Sequence, residues 1–394
     1  MPPRRSTTWP GGSPRRSGKG CSPMAEPKEE ETRPGPENTH ALFGHETAEA
    51  VLARAWRSGR LAHGWLLTGS EGIGKATLAF RFARAVLSGA MDGAAAPAQA
   101  LPGLADPASP GERMANARMR NDRLPDVGPD DAAARKIAAG AHPGLRVIRR
   151  SVNPDTGKVR GEIVVGDVRR AMEFLGRTAA DGGWRIVIVD PVDDMNRNAA
   201  NALLKSLEEP PDKCLFLLIS HVSGTVLPTI RSRCQILALS PLPAADVRAA
   251  LGAAAPDLAP KADEALLNLA AGSPGRAIRL IEADAGALQD RIDAILEAPE
   301  AGGGLAALDL AEQVARSGAT AAFRIVGELL ARRSARLAHA AASSAARDEA
   351  AALWFEVADR FREAERLNLD RRHTVLKACR DTGRLVRAAA PPGG

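Results

Sequence analysis

Residues 64–77 read Gly64-Trp65-Leu66-Leu67-Thr68-Gly69-Ser70-Glu71-Gly72-Ile73-Gly74-Lys75-Ala76-Thr77. The first five form a short apolar run of the kind a buried strand requires. A glycine-rich loop closed by a lysine follows. Beyond it, Leu78, Phe82 and Val86 fall on one face of a helix that ends near Gly89. Strand, glycine loop and helix in that order are the context of a phosphate loop. Glycines let backbone N–H groups turn toward a phosphate, the helix dipole adds to the attraction, and Lys75 brings a charge to the β and γ oxygens. Gly69, Gly72, Gly74, Lys75, Ala76 and Thr77 are therefore the candidate nucleotide-binding residues, for ATP or ADP.

The flanking sequence supplies the rest of the layer. Upstream, Ala48, Val51, Leu52 and Ala55 have helical spacing, with Gly59 as a stop signal. Downstream, residues 90–142 are rich in Ala, Pro, Gly and Asp and read as an insertion or mobile loop, apart from a short helix around Asp131–Ala139. Two apolar runs, Leu145–Ile148 and Glu162–Val165, flank the turn Asn153-Pro154-Asp155-Thr156-Gly157 and predict a hairpin. Val168, Met172 and Leu175 continue as a helix. Arg185–Val189 is an apolar strand that ends in Asp190, Asn198–Glu208 is a helix stopped by Pro210-Pro211, and Leu215–Ile219 and Ile236–Leu239 are further strands. Strands alternating with helices predict an α/β domain with a parallel sheet covered on both faces.

The site chemistry is incomplete. Ala76 stands where a Ser or Thr hydroxyl would ligate magnesium, and Thr77 lies one residue late, about 100° round the helix. Asp190 suits a metal-side carboxylate at a strand end. The next residue is Pro191, where ATPases of this general type carry a glutamate. Asp193 and Asp194 are expected to cap the following helix. The expectation is a site that holds nucleotide, binds magnesium weakly or not at all, and hydrolyses poorly.

Composition narrows the classes. Among 394 residues the formal charge is +6, but residues 1–23 carry Arg4, Arg5, Arg15, Arg16 and Lys19 and no acid, which leaves +1 for the remainder. Most of the basicity thus belongs to a short Pro/Gly/Ser/Arg-rich segment, read as a disordered tail over 1–38, and it argues poorly for a basic groove in the folded part. Aromatics are 3% and tyrosine is absent, against a base-stacking platform. No apolar run reaches the roughly 20 residues of a membrane span. Cys21, Cys214, Cys234 and Cys379 are scattered, which predicts no zinc module and fits a reducing cytoplasm.

The string Asn201-Ala202-Leu203-Leu204-Lys205 through Leu207-Glu208-Glu209-Pro210-Pro211, then Leu227-Pro228-Thr229-Ile230-Arg231-Ser232-Arg233-Cys234, together with Thr68–Thr77, resembles the clamp-loader branch of the AAA+ ATPases. The resemblance covers about residues 40–280 by motif. It implies a RecA-like AAA+ P-loop domain, a helical lid and an all-α collar that joins subunits in a ring. The implied divisions are a basic, Pro-rich tail at 1–38, the P-loop domain at 39–241, the lid at 242–300, the collar at 301–388 and a tail at 389–394.

The resemblance also implies roles. Arg233 would be an arginine finger reaching ATP on a neighbouring subunit, and His221 would stand at a sensor position. The lid arginine position falls on Gly275, with Arg276 one place off. The departures at Ala76 and Pro191 imply a stator-like subunit of the bacterial DNA polymerase III loader, with its own ATPase weak or absent and no polymerase chemistry. The implied partners are the motor (gamma/tau) subunits, the delta subunit, the sliding clamp indirectly, and primer–template DNA within the complex, with no membrane. Two other readings stay open: a self-sufficient AAA+ ATPase, such as a motor subunit or branch-migration motor, and a binding module in which nucleotide is structural or absent. A chain starting at Met24 is expected to retain full activity in a clamp-loading assay, and loss of activity on that truncation would count against a passive tail.

Overall fold

The computed structural model describes residues 33–93, 123–176, 183–222, 224–298, 304–316 and 318–389. The expectations for residues 1–32, for most of the 90–142 insertion, for the lid–collar boundary at 299–303, and for 390–394 fall outside these. The elements below belong to one unit that begins at Pro34.

The sheet comes first in the causal order. β1 (Gly64–Thr68), β2 (Leu145–Ile148), β3 (Arg185–Val189), β4 (Cys214–Ser220) and β5 (Gln235–Ala238) are all parallel, in the order β2-β3-β4-β1-β5. Every residue of β1 and β4 is buried, which is why these strands read as unbroken apolar runs instead of alternating ones. Period two still operates beneath the run. Trp65, Leu67, Ile186, Ile188, Leu215, Leu217 and Ile219 point to one face and meet α1 (Glu46–Arg57), α2 (Lys75–Leu87) and α3 (Ala132–Ala138). Leu66, Val187, Val189, Phe216 and Leu218 point to the other and meet α4 (Val165–Gly176) and α5 (Arg197–Glu208). Strand order and the loop after β1 give the RecA-like AAA+ architecture.

A helical region follows. α6 is the single turn Pro228–Arg231. After β5 come α7 (Ala244–Ala254), α8 (Glu264–Ala270), α9 (Pro274–Glu282), α10 (Ala285–Glu297), α11 (Gly304–Ala315), α12 (Thr320–Ala340), α13 (Ser344–Arg366) and α14 (Arg371–Ala389). One apolar cluster runs through them from Leu242 to Leu385. Starts follow capping chemistry: Asn196, Asp263, Ser273 and Ser343 each accept a backbone N–H of the first turn.

Three sequence expectations need correction. Residues 34–38, assigned to the tail, pack on α2, where the Arg84 guanidinium donates to the carbonyls of Glu37 (3.1 Å) and Thr39 (2.7 Å). Residues 123–131 are not a mobile loop: Leu124 and Val127 enter the core, and Arg123 pairs with Glu46 at 2.8 Å. The turn at 153–157 exists, closed by Gly157 N–H to the Asn153 carbonyl, but its stem is the single bridge Val152–Val159. Leu145–Ile148 instead pairs with β3, and Ile163 bridges Met195. Parallel pairing with β3, which buries Leu145 and Ile148, outweighs the local pull of a good turn.

Arg84 is the largest of the fully buried side chains, and burial, with Arg81 second, lowers its pKa to about 10. Arg84→Met would keep the length and leave two carbonyls without donors. A loss of about 2–3 kcal/mol in urea unfolding is expected.

Candidate functional site

The strand order brings the ends of β1, β4 and β3 side by side, so the loop after β1, His221 and Asp190 share the carboxyl edge of the sheet. The loop turns through left-handed backbone at Gly72 (φ 77°) and Gly74 (φ 112°), and α2 begins at Lys75. The His45 ring bonds the Ile73 carbonyl at 2.6 Å and fixes the loop from outside. Lys75 is buried, and its Nζ donates to the carbonyls of Gly69 and Ser70, both at 2.6 Å. Burial lowers its pKa to about 8, against the opposing pull of Glu71, Asp190 and Asp193. Lys75, Thr77, Asp190, His221 and Arg279 line a cavity of about 400 Å³ together with apolar residues such as Ile219 and Leu242.

The carboxylates are already engaged. Asp190 Oδ2 lies 3.4 Å from Arg149 Nε, and Arg149 also pairs with Glu37 at 3.1 Å and covers the Phe80 ring. Asp193 accepts from Ser220 Oγ (2.8 Å), the His221 N–H (2.5 Å) and Thr225 Oγ1 (2.8 Å). Asp194 pairs with Arg150 at 2.9 Å, and burial above all raises its pKa. Neither aspartate caps α5, as the sequence suggested. Asn196 does, because its side chain reaches the Ala199 N–H at 2.9 Å while Asp193 is drawn to the end of β4. Burial, and then Lys75, lower the pKa of His221, and among the described residues its buried Nδ1 has no hydrogen-bond partner.

These residues fit a nucleotide in part. The helix N-terminus and Lys75 suit phosphate oxygens. A magnesium ion fits badly: Ala76 offers no hydroxyl, and a guanidinium already neutralises Asp190.

The lid touches the loop directly. Gly275 N–H donates to the Gly72 carbonyl at 3.0 Å, and Ser273 Oγ donates to the Glu71 carbonyl at 2.8 Å. A Cβ at Gly275 would stand 2.9 Å from Gly72 Cα, so only glycine allows this approach. Arg276 turns away to Glu328 on α12, at 2.8 Å. The lid cation in the cavity is Arg279, which pairs with Glu71 at 3.1 Å. Arg279 escaped the sequence reading, although it lies four residues after Gly275 and hence on the same helical face. Arg149 escaped it too, and no local pattern marks it.

Arg233 lies elsewhere. It precedes β5 at the amino edge of the sheet, where its carbonyl would be 3.4 Å from a Cβ on Gly64. The length of β1, about 16 Å at about 3.3 Å per residue, separates that edge from the phosphate loop. The Arg233 side chain is 34% exposed, pairs with Glu208 at 2.6 Å and donates to the Thr229 carbonyl at 2.9 Å. The fold thus joins two motifs separate in sequence, the end of α5 and the Ser232-Arg233-Cys234 turn.

The buried lysine gives the site a pH signature. Its folded pKa of about 8 lies below the ordinary lysine value of 10.5, so between these values the unfolded chain binds the extra proton. The Lys75 contribution therefore becomes more favourable as pH rises through that window. Urea unfolding at pH 7.5 and 10 should show wild type gaining stability relative to Lys75→Met, with the gain absent in the variant.

The sequence profile of a family described as DNA polymerase III, delta subunit, matches residues 115–243. The chain is 43% identical to DNA polymerase III subunit delta′ of Pseudomonas aeruginosa over 149 residues, 38% of this chain and 43% of that protein. With subunit delta′ of Escherichia coli the identity is 36% over 148 residues, 38% of this chain and 42% of that protein. The tau subunit of Bacillus subtilis is 28% identical over 200 residues, 51% of this chain and 28% of that protein. The chain spans about two fifths of the length of the delta′ relatives it matches. Over about two fifths of its length the chain is thus similar to DNA polymerase III delta′ subunits.

Proposed function

We propose that this chain is the stator-like delta′ subunit of a clamp loader. It sits beside a gamma/tau motor subunit and the delta subunit in the cytoplasm, and helps place the sliding clamp on primer–template DNA. Arg233 enters the active site of the neighbour and stabilises charge on the transferring phosphoryl group, a task that suits the fixed charge and planar fork of a guanidinium. To do so it exchanges Glu208 for the phosphate. Its own pocket holds ATP or ADP through Gly69, Gly72, Gly74, Lys75 and the end of α2, with Thr77, Asp190 and the sensor-like His221 alongside. It does not turn nucleotide over efficiently, because phosphoryl transfer depends on positioned cations and a positioned water, and Asp190 is neutralised by Arg149.

The observation that carries this reading is the placement of Arg233 about 16 Å from its own phosphate loop, too far to serve it. The relatives named delta′ and tau support the assignment of partners.

In the reconstituted loader, Arg233→Ala should lower DNA-stimulated ATP turnover, with a loss on the order of 10³-fold at the one site it serves. Lys75→Ala should leave turnover nearly unchanged. Equal turnover in the Arg233 variant, with an unaltered circular dichroism spectrum, would remove the trans role. Brisk hydrolysis by the isolated chain, abolished by Lys75→Ala, would establish a self-sufficient ATPase instead.

A further inference from the structure

The overall charge conceals a segregation. α14 carries Arg371, Arg372, Lys377, Arg380, Arg384 and Arg387 against one acid, Asp381. His373, Lys377, Arg380, Arg384 and Arg387 recur at spacings of four, three, four and three residues, so at about 100° per residue they occupy an arc of about 80°. The buried residues Thr374, Val375, Ala378, Cys379, Thr382 and Leu385 lie on the opposite side. The exposed strip is therefore cationic from Lys377 through Arg380 to Arg384, about 11 Å, with the half-buried Arg387 at its end donating to the Ala298 carbonyl.

A plain solvated face would look different, and the same molecule supplies the comparison. On α13, Glu356–Arg360 (2.5 Å), Asp359–Arg362 (3.5 Å) and Glu363–Arg366 (3.6 Å) alternate in sign. On α14, the i, i+3 and i, i+4 neighbours of the strip repel one another, which destabilises a helix. Nearby acids do little to relieve this. Asp381 is drawn to Arg360 (3.2 Å), Glu312 to Arg372 beside the strip (3.0 Å), and Glu349 reaches Arg384 only at 3.9 Å. Among the described residues Lys377 and Arg380 have no ion-pair partner.

We infer that the outer face of α14 is a docking surface for the phosphate backbone of duplex DNA, bound without sequence preference. Regular cations without apolar anchors suit phosphates, whereas an acidic polypeptide would need buried anchoring side chains. A single strand would call for stacking aromatics, and α14 has no Phe, Trp or Tyr. The surface lies on a different element from Arg233 and the phosphate loop, and its test needs no loader partner.

The experiment measures fluorescence anisotropy of a labelled mixed-sequence duplex with the full chain, comparing wild type with the triple variant Lys377→Gln, Arg380→Gln, Arg384→Gln between about 50 and 200 mM salt. The amino-terminal arginines are common to both proteins, so the difference reports on α14. The variant should bind about tenfold weaker or more at low salt, with a log–log salt slope shallower by about three. Its thermal unfolding midpoint should be equal or higher, since repulsion is removed. Equal affinity and slope in the two proteins would overturn the inference. It would equally be overturned if polyglutamate bound wild type as tightly as the duplex and lost the same factor in the variant.

Discussion

The backbone contact between Gly72 and Gly275 is the constraint on which the arrangement of the molecule depends. A carbonyl of the phosphate loop accepts the N–H of the first turn of the lid, and the two Cα atoms are close enough to exclude any Cβ. Ser273 both caps α9 and bonds the loop at Glu71. Three residues on, Arg276 reaches Glu328 on α12. A displacement of the loop is thereby felt at the lid and passed toward the long helices. The Gly72–Gly275 link needs no nucleotide to hold it, because both of its partners are main chain.

The same region explains the electrostatic character of the site. A hydrolytic centre keeps unneutralised carboxylates and cations aimed at the reacting group. Here Arg149 stands against Asp190, three donors converge on Asp193, and Lys75 is turned onto two carbonyls of its own loop. Each group has found a partner within the chain. Arg233, 34% exposed, is held by Glu208 and the Thr229 carbonyl, away from this cluster.

The charge arithmetic of the sequence is silent on where charges sit. A net +1 beyond the amino-terminal segment argued poorly for a basic groove in the folded part. The folded chain instead sorts its charges by helix, pairing them on α13 and leaving one sign on the outside of α14. Net charge averages over faces, and a helix has faces.

Most of the fold was legible in order of residues alone. The runs at 64–68, 185–189 and 215–219 read as buried strands, and Gly72-Ile73-Gly74-Lys75 between a strand and a helix read as a phosphate loop. Those features depend on neighbours in the chain. What tertiary structure decided were pairings across long separations: Arg149 with Asp190, Arg279 with Glu71, Arg84 with the carbonyls at 37 and 39, and the choice of Asn196 over Asp193 as a cap. Arginine side chains are long and rotamer-rich, so their partners are set by which backbone segments packing brings within reach, and no local pattern encodes that choice.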